Sequence, residues 1–340
     1  MDAAANRAGE GLRTAEDALR FALDRGDLVE RTKSLRHRLR TVLEAVNAMH
    51  WMVHRDAAGD VGQHVHGSRE HDRQGVRGVA IAAMKRSIEA LRSLEEFGKL
   101  TEGSLARECA ALRYAAYDLE RDVMLAFGSP HRRQPRLCLL ITESLCTLPW
   151  RDTLKAAIDG GVDMVQVREK DFTPRALLQR VREVMALAKP RGVGVIVNDS
   201  LDVAIAARAD GVHLGRDDLP LIEARRIAGP ELLLGATAHD LCEAASAIEA
   251  GADVLGIGAM FATPLKPGQH ASGPGFLKEF IERFPRTPHV AIGGIHSGNM
   301  EALTAVGVRG VAVCSAICSS KDPASAAAAM CAAMAGVCQP

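Results

Sequence analysis

Along the chain, the period of the apolar positions changes once. Up to about residue 127 they recur at helical spacing: Ala8, Leu12, Ala15 and Leu19 trace one stripe, and Ser87, Leu91, Leu94 and Gly98 another. Spacings of three and four are what a helix needs to turn one face to a core. No two-residue alternation interrupts this region, so it reads as all-helical. After Arg136 the texture becomes short β-branched runs at 137–142, 164–167, 193–197, 211–214, 232–235, 254–257, 289–292 and 310–313. Helix-forming segments such as 173–189, 240–250 and 274–284 lie between them. Eight strand-helix units predict a closed (β/α)8 barrel over 137–340, in the α/β class, preceded by a helical domain over 1–128. The segment 129–136 is polar, holds Pro130 and Pro135, and reads as a linker. The competing arrangement, a doubly wound open sheet, predicts a Gly-rich nucleotide loop after the first strand, where Thr142, Glu143 and Ser144 stand instead.

The helical region repeats itself. Arg7, Glu10, Leu12, Arg13 and Glu16 recur as Arg86, Glu89, Leu91, Arg92 and Glu95, a constant offset of 79. Glu10, Arg13 and Asp17, with their counterparts Glu89, Arg92 and Glu96, form a second, charged stripe. It reads either as a solvated face laced with ion pairs or as two related polar walls around a site. A third helical stretch, 113–120, carries both tyrosines, Tyr114 and Tyr117. Between the copies, Arg55, Asp56, Gly59, Asp60 and Gly62 suit either an ordinary loop or one whose amides hold phosphate and whose carboxylates hold Mg2+. His50 and His54 are one helical turn apart but lack further ligands, and the 64–71 segment is rich in histidine without a legible role. Gly98-Lys99 is followed by Leu100, so no P-loop is present.

Whole-chain charge narrows the options. Lys+Arg and Asp+Glu both number 42, so no global field draws nucleic acid or anionic lipid, and anion binding has to be local. No apolar run reaches membrane-spanning length and no secretory signal opens the chain, so a cytoplasmic location is expected. The 8 cysteines form no C-x-x-C pair and read as reduced, mostly buried small hydrophobes; Cys314 and Cys318 are spaced loosely like metal ligands without partners to complete a site.

In a barrel, chemistry sits just past the strand C-termini. There, alternation puts Gln166, Arg168 and Lys170 on one side of the second strand, an amide and two cations suited to a polyanion. Asn198 and Asp199 follow the third strand and Asp217 and Asp218 the fourth, carboxylates placed to hold Mg2+ against phosphate oxygens. Gly293 and Gly294 after the seventh strand and Cys314 and Ser315 after the eighth form the usual phosphate site of backbone N–H groups.

These motifs (V-Q-V-R-E-K, N-D, A-D-G-V-H-L-G-x-x-D, G-x-T-x-H, A-D-x-x-G-x-G-x-x-F-x-T-x-x-K, I-G-G-I and G-V-A-V-x-S-A-I) resemble, in order, those of thiamin phosphate synthases from Arg136 to about Ala333. The resemblance implies an enzyme that joins hydroxymethylpyrimidine diphosphate to thiazole phosphate and releases pyrophosphate, with Mg2+ as cofactor. It implies that Gln166, Arg168, Lys170 and Asn198 hold the pyrimidine diphosphate and that Asp199 and Asp218 hold Mg2+. Thr237 and Lys266 would complete the cradle, with Arg168, Lys170 and Lys266 as the catalytic cations, and Thr263, Gly294, Cys314 and Ser315 would bind the thiazole phosphate. It further implies dissociative C–O cleavage and capture of the pyrimidine cation by the thiazole nitrogen. Three positions depart from the family: Arg216 replaces a usual Gln, Thr237 a Ser, and Leu265 a Thr or Ser. The last removes a pyrophosphate hydrogen bond worth about 1–3 kcal/mol.

Most of residues 2–127 resembles a helical module fused to some bacterial thiamin phosphate synthases, through Asn6, Arg7, Glu10, Gly11, Leu12 and Arg13, then Leu35-Arg36-His37, the Gly59-Asp60 loop, and 89–96. Such modules are assigned as hydroxymethylpyrimidine phosphate kinases, which implies ATP as a partner. Two alternatives stay open: a non-catalytic dimerisation or scaffold module in a homo-oligomer, and a barrel related to thiazole phosphate aromatases, which would not need the two aspartates and the Gln-Arg-Lys strand together.

Overall fold

A computed structural model describes residues 1–55, 75–128, 133–263, 268 and 271–335. The chain divides into two compact units, Met1–Phe127 and Gly128–Pro340.

The first unit is helical: α1 (Asp2–Ala18), α2 (Gly26–Ala45), α3 (Gly75–Thr101) and α4 (Gly103–Phe127). The apolar stripes read from the sequence are its core, with Leu12, Leu19, Leu91 and Leu94 fully buried beside Leu28, Leu105 and Leu112. α1 and α3 cross closely at Gly11, where an added Cβ would lie 2.2 Å from Ser87 Oγ; that hydroxyl donates to Ala8 O at 3.1 Å. The repeat extends into three dimensions. Arg36 on α2 donates to Glu16 on α1 at 3.0 Å, and Arg113 on α4 donates to Glu95 on α3 at 2.8 Å. Arg13 and Arg92 approach the same two glutamates at 3.5 and 3.0 Å. The charged stripe is thus partly solvated, with ion pairs along each helix, while Glu16 and Glu95 turn inward to an arginine of the following helix.

The second unit is a closed barrel of eight parallel strands in sequential order, which excludes the open sheet. The strands are β1 (Leu137–Ile141), β2 (Met164–Val167), β3 (Gly194–Asn198), β4 (Gly211–Leu214), β5 (Leu233–Ala238), β6 (Val254–Gly258), β7 (His289–Ile292) and β8 (Val311–Val313). The helices are α5 (Trp150–Asp159), α6 (Pro174–Ala188), α7 (Leu201–Ala207), α8 (Leu221–Ala228), α9 (Leu241–Glu249), α10 (Gly273–Arg283), α11 (Met300–Thr304), α12 (Ser315–Cys318) and α13 (Pro323–Met334). Every residue of β1, β2 and β6 is buried, as expected for parallel strands covered on both faces.

One device recurs at the strand starts. Asp163, Asp210 and Asp253, each just before an even-numbered strand, accept the amide of Leu137, Val195 and Leu234 on the preceding odd-numbered one, at 3.1, 2.8 and 2.9 Å. Asp253 also takes Arg225 at 2.6 Å. Before the fourth even-numbered strand no carboxylate stands: Gly310 precedes β8, and Arg309 before it reaches Thr287 O. The carboxylates satisfy amides that would otherwise be orphaned at the barrel floor. The described end of the expected linker joins this floor: Gln134 donates to His289 O at 2.6 Å and accepts its N–H at 3.1 Å.

Candidate active site

The strand C-termini bring together residues far apart in sequence. Gln166, buried on β2, donates through Nε2 to Asn198 Oδ1 at the end of β3, at 2.9 Å. The next residue, Asp199, has φ 64°. Its amide donates to His213 O at 2.8 Å, and Ser200 N–H closes a three-residue turn onto Asn198 O at 2.8 Å. A positive-φ turn of this kind is rare and strained for a non-glycine residue, and such strain collects at functional positions. It throws the carboxylate over the rim. Asp218, on the loop after β4, accepts the Gly215 amide at 2.6 Å, which folds that loop back on itself.

The two carboxylates meet. Asp199 is pushed up to about 6, first by burial, then by the charge of Asp218 and a hydrogen bond with it, while Lys170 and Arg168 pull the other way. Two acids and two cations from β2, β3 and β4 therefore share one field, as the strand-end reading expects. Among the described residues no cluster of three or more His, Cys, Asp or Glu could hold a metal; the donors offered here are two carboxylates.

Beside them, a pocket is lined by Leu140, Arg168, Thr237, Gly258, Ala259, Thr263, Ile292, Gly293, Gly294, Ile295, Ala312, Val313, Cys314 and Ser315. Most of these residues are small, three of them glycines. Gly294 has φ 64°, and a Cβ there would sit 2.5 Å from Ala262 O, so only glycine lets the two segments approach. Arg168 also lines a second depression with Thr142, Glu143, Glu169, Lys170 and Phe172, making it the shared wall of two neighbouring recesses.

Sequence reasoning passed over two supports. His213 Nε2 is 2.8 Å from Thr237 Oγ1, fixing that hydroxyl at the pocket edge. Its ring fits because Gly235 is small: a Cβ there would meet Nδ1 at 2.6 Å. The signal was the histidine inside A-D-G-V-H-L-G, on a strand otherwise apolar. The other support is Arg180 on α6, which pairs with Glu169 at 2.6 Å and Glu143 at 2.7 Å and lies over the Trp150 and Phe172 rings at 4.2 and 5.0 Å. Glu169 lies past the end of β2 at Val167 and, through Arg180, anchors the segment that bears the cations.

Arg216 does not add free charge to the rim, because its guanidinium pairs with Glu243. Lys266 and Leu265 lie outside the described residues, as does the Gly59-Asp60 loop. No described helix is long and apolar enough to cross a membrane.

A family model described as thiamine monophosphate synthase matches residues 137–317, and one described as the ThiD2 family matches residues 1–122. The chain is 40% identical over 331 residues to a thiamine-phosphate synthase of Prochlorococcus marinus, covering 95% of this chain and 92% of that protein. It is 36% identical over 326 residues to a thiamine-phosphate synthase of Rhodopirellula baltica, covering 93% and 87%. The solved thiamine phosphate pyrophosphorylase from Pyrococcus furiosus superposes with a TM-score of 0.56 at 31% identity, covering 61% of this chain and 99% of that one.

Proposed function

Because the chain belongs to the thiamine monophosphate synthase family, and is a transferase of that kind, we propose that the barrel rim joins hydroxymethylpyrimidine diphosphate to thiazole phosphate. The observation that carries the site assignment is the convergence of Asp199, Asp218, Arg168 and Lys170 in one field beside a pocket lined mostly by small residues. The C–O bond to the diphosphate breaks, its electron pair leaving with pyrophosphate, and the thiazole nitrogen forms the new C–N bond. No nucleophile or strong base of the protein is required, only stabilisation of charge on the leaving group.

Each side chain has a part in this. Arg168 and Lys170 meet the pyrophosphate oxygens, with Lys266 as a third cation. Gln166 and Asn198, already bonded to each other, present amides to the pyrimidine. Thr237, held by His213, donates to the diphosphate. Gly294, Cys314, Ser315 and Thr263 seat the thiazole phosphate through backbone N–H groups and a hydroxyl. The paired acids fit Mg2+, which binds through one or two carboxylates and completes its shell with phosphate oxygens and water. Bound by Asp199 and Asp218, it would neutralise charge on the departing pyrophosphate.

For the helical unit we propose ATP-dependent phosphorylation of hydroxymethylpyrimidine phosphate, which would supply the barrel. The ThiD2 family match supports this. One assay of the full chain tests both readings. With pyrimidine diphosphate, thiazole phosphate and Mg2+, thiamin phosphate and pyrophosphate should form. With the monophosphate instead, product should appear only when ATP is added. No product from the diphosphate overturns the barrel reading. Product from the diphosphate but none from monophosphate plus ATP leaves the helical unit a scaffold, to be seen as assembly of a homo-oligomer.

A further inference from the structure

Three of the cysteines, separated by up to 172 positions, gather behind the phosphate pocket. Cys146 Sγ lies 3.4 Å from Thr142 O, Cys314 Sγ 3.9 Å from Thr142 Oγ1, and Cys318 Sγ 3.7 Å from Leu140 O, all around the end of β1. Thr147 N–H donates to Cys318 O at 2.9 Å, joining the two backbones. Cys318 is fully buried, whereas Cys314 lines the pocket. Cys314 caps the start of α12 and Cys318 is its last residue, with Cys318 N–H bonded to Cys314 O at 2.9 Å and both sulfurs turned to the end of β1.

We propose that Cys314 and Cys318 are an oxidation-sensitive pair that disables the thiazole phosphate pocket. Hydrogen peroxide entering the pocket oxidises the Cys314 thiolate to a sulfenic acid, releasing hydroxide. The Cys318 sulfur then attacks the Cys314 sulfur, forming the S–S bond and expelling water. Overall, two thiols and one peroxide give one disulfide and two waters.

The sulfurs are unequal in the sense this order requires. The Cys314 thiol is held below its ordinary value, chiefly by a hydrogen bond from Cys318 and also by Thr142 and the charge of Arg168. Cys318 holds its proton more tightly, pushed up first by interaction with the Cys146 and Cys314 sulfurs and then by burial. Cys314 is thus the more acidic and the accessible partner, and Cys318 resolves. Closing the bond has a structural cost. Side chains one helical turn apart have Cβ atoms about 5–6 Å from each other, and a disulfide needs about 3.8 Å. The turn must tighten, and that turn carries Ser315, which lines the pocket. A strained disulfide is also the readily reduced kind, which makes the change reversible.

The inference about affinity rests on the synthase reading; the chemistry of the thiols does not. The full-length protein is treated with hydrogen peroxide, and its bridge is mapped by peptide mass spectrometry with and without saturating inorganic phosphate. A Cys314–Cys318 bridge, slowed several-fold by phosphate, is expected. A bridge from Cys146 to either thiol, or no intramolecular bridge, overturns the proposal. In Cys318→Ala, peroxide should leave a dimedone-reactive sulfenic acid at Cys314; in Cys146→Ala the bridge should persist. The KM for thiazole phosphate should rise about tenfold or more on oxidation and return with dithiothreitol. An unchanged KM in fully bridged, active protein overturns the regulatory half, whereas a protein inactive before oxidation condemns the synthase reading and leaves the thiol result to stand alone.

Discussion

Asp199 and Asp218 are costly neighbours when nothing sits between them. A carboxylate whose folded-state value is raised to about 6 contributes stability only while protonated. That contribution is complete below the unfolded value near 4 and is lost as pH rises through about 6. At pH 8 the pair therefore works against the fold. Asp218→Asn should stabilise the fold slightly at that pH, by about 1 kcal/mol or less because the pair sits at the rim where solvent screens it, seen as a small rise in the urea midpoint. The same variant should lower turnover about 100-fold or more by weakening charge stabilisation of the leaving group. Mg2+ titrations of kcat beside urea curves check both halves; a destabilised but fully active variant would sink the assignment. The placement of these residues was legible in the sequence, because residues at strand ends follow from counting apolar runs. Their contacts were not. Arg216 reads as extra charge near a polyanion until Glu243, 27 positions on, is found beside it, and the Cys146–Cys318 approach joins opposite ends of the barrel sequence.

At the level of elements, period-2 alternation reads Gln166, Arg168 and Lys170 onto one side, but β2 ends at Val167, so it is the segment beyond the strand that brings Arg168 and Lys170 to the acids, and Glu169 in the same segment turns to another partner. What it meets there belongs to α6. No local pattern announces that Arg180, on a helix that reads as ordinary and amphipathic, is buried between Trp150 and Phe172 with two glutamates. The cross-helix pairs Glu16–Arg36 and Glu95–Arg113 escaped for the same reason: the repeat was visible, but which charges turn inward depends on how neighbouring helices pack. Arg180 makes its dependence testable. In Arg180→Met the Glu169 carboxylate, only 5% exposed, is left without its cation, a loss of about 3–5 kcal/mol for a broken buried pair. The loosened β2 end should raise the KM for the pyrimidine diphosphate several-fold while kcat changes less. Arg180→Lys restores the charge but cannot span both glutamates, so partial recovery is expected. Equal falls in kcat with an unchanged KM would show that Arg180 does not position the substrate cations.

For the molecule as a whole, acid response separates the two units. His289 at the barrel floor is fully buried and packs edge-on against Phe280 at 5.1 Å. Its Nδ1 donates to Thr287 O at 3.0 Å and its Nε2 has no hydrogen-bond partner. Burial first, and Arg309 nearby, press its value down to about 4. The proton therefore prefers the unfolded chain. The neutral ring's contribution is whole above the unfolded value near 6.5 and drains away as pH falls from there toward 4, by up to about 3 kcal/mol. Carboxylates held low by arginine, such as Asp27 at about 2 beside Arg25, act only in more acid solution, so the windows differ. Each unit holds one of the chain's 2 tryptophans, Trp51 in the first and Trp150 in the second. In a Trp51→Phe background, Trp150 fluorescence reports barrel unfolding alone. The urea midpoint it records should decline from pH 6.5 to 4.5, and His289→Gln, which keeps a donor for Thr287 O but cannot take up the proton, should flatten that decline. The same slope in both proteins would place the acid sensitivity of the barrel elsewhere.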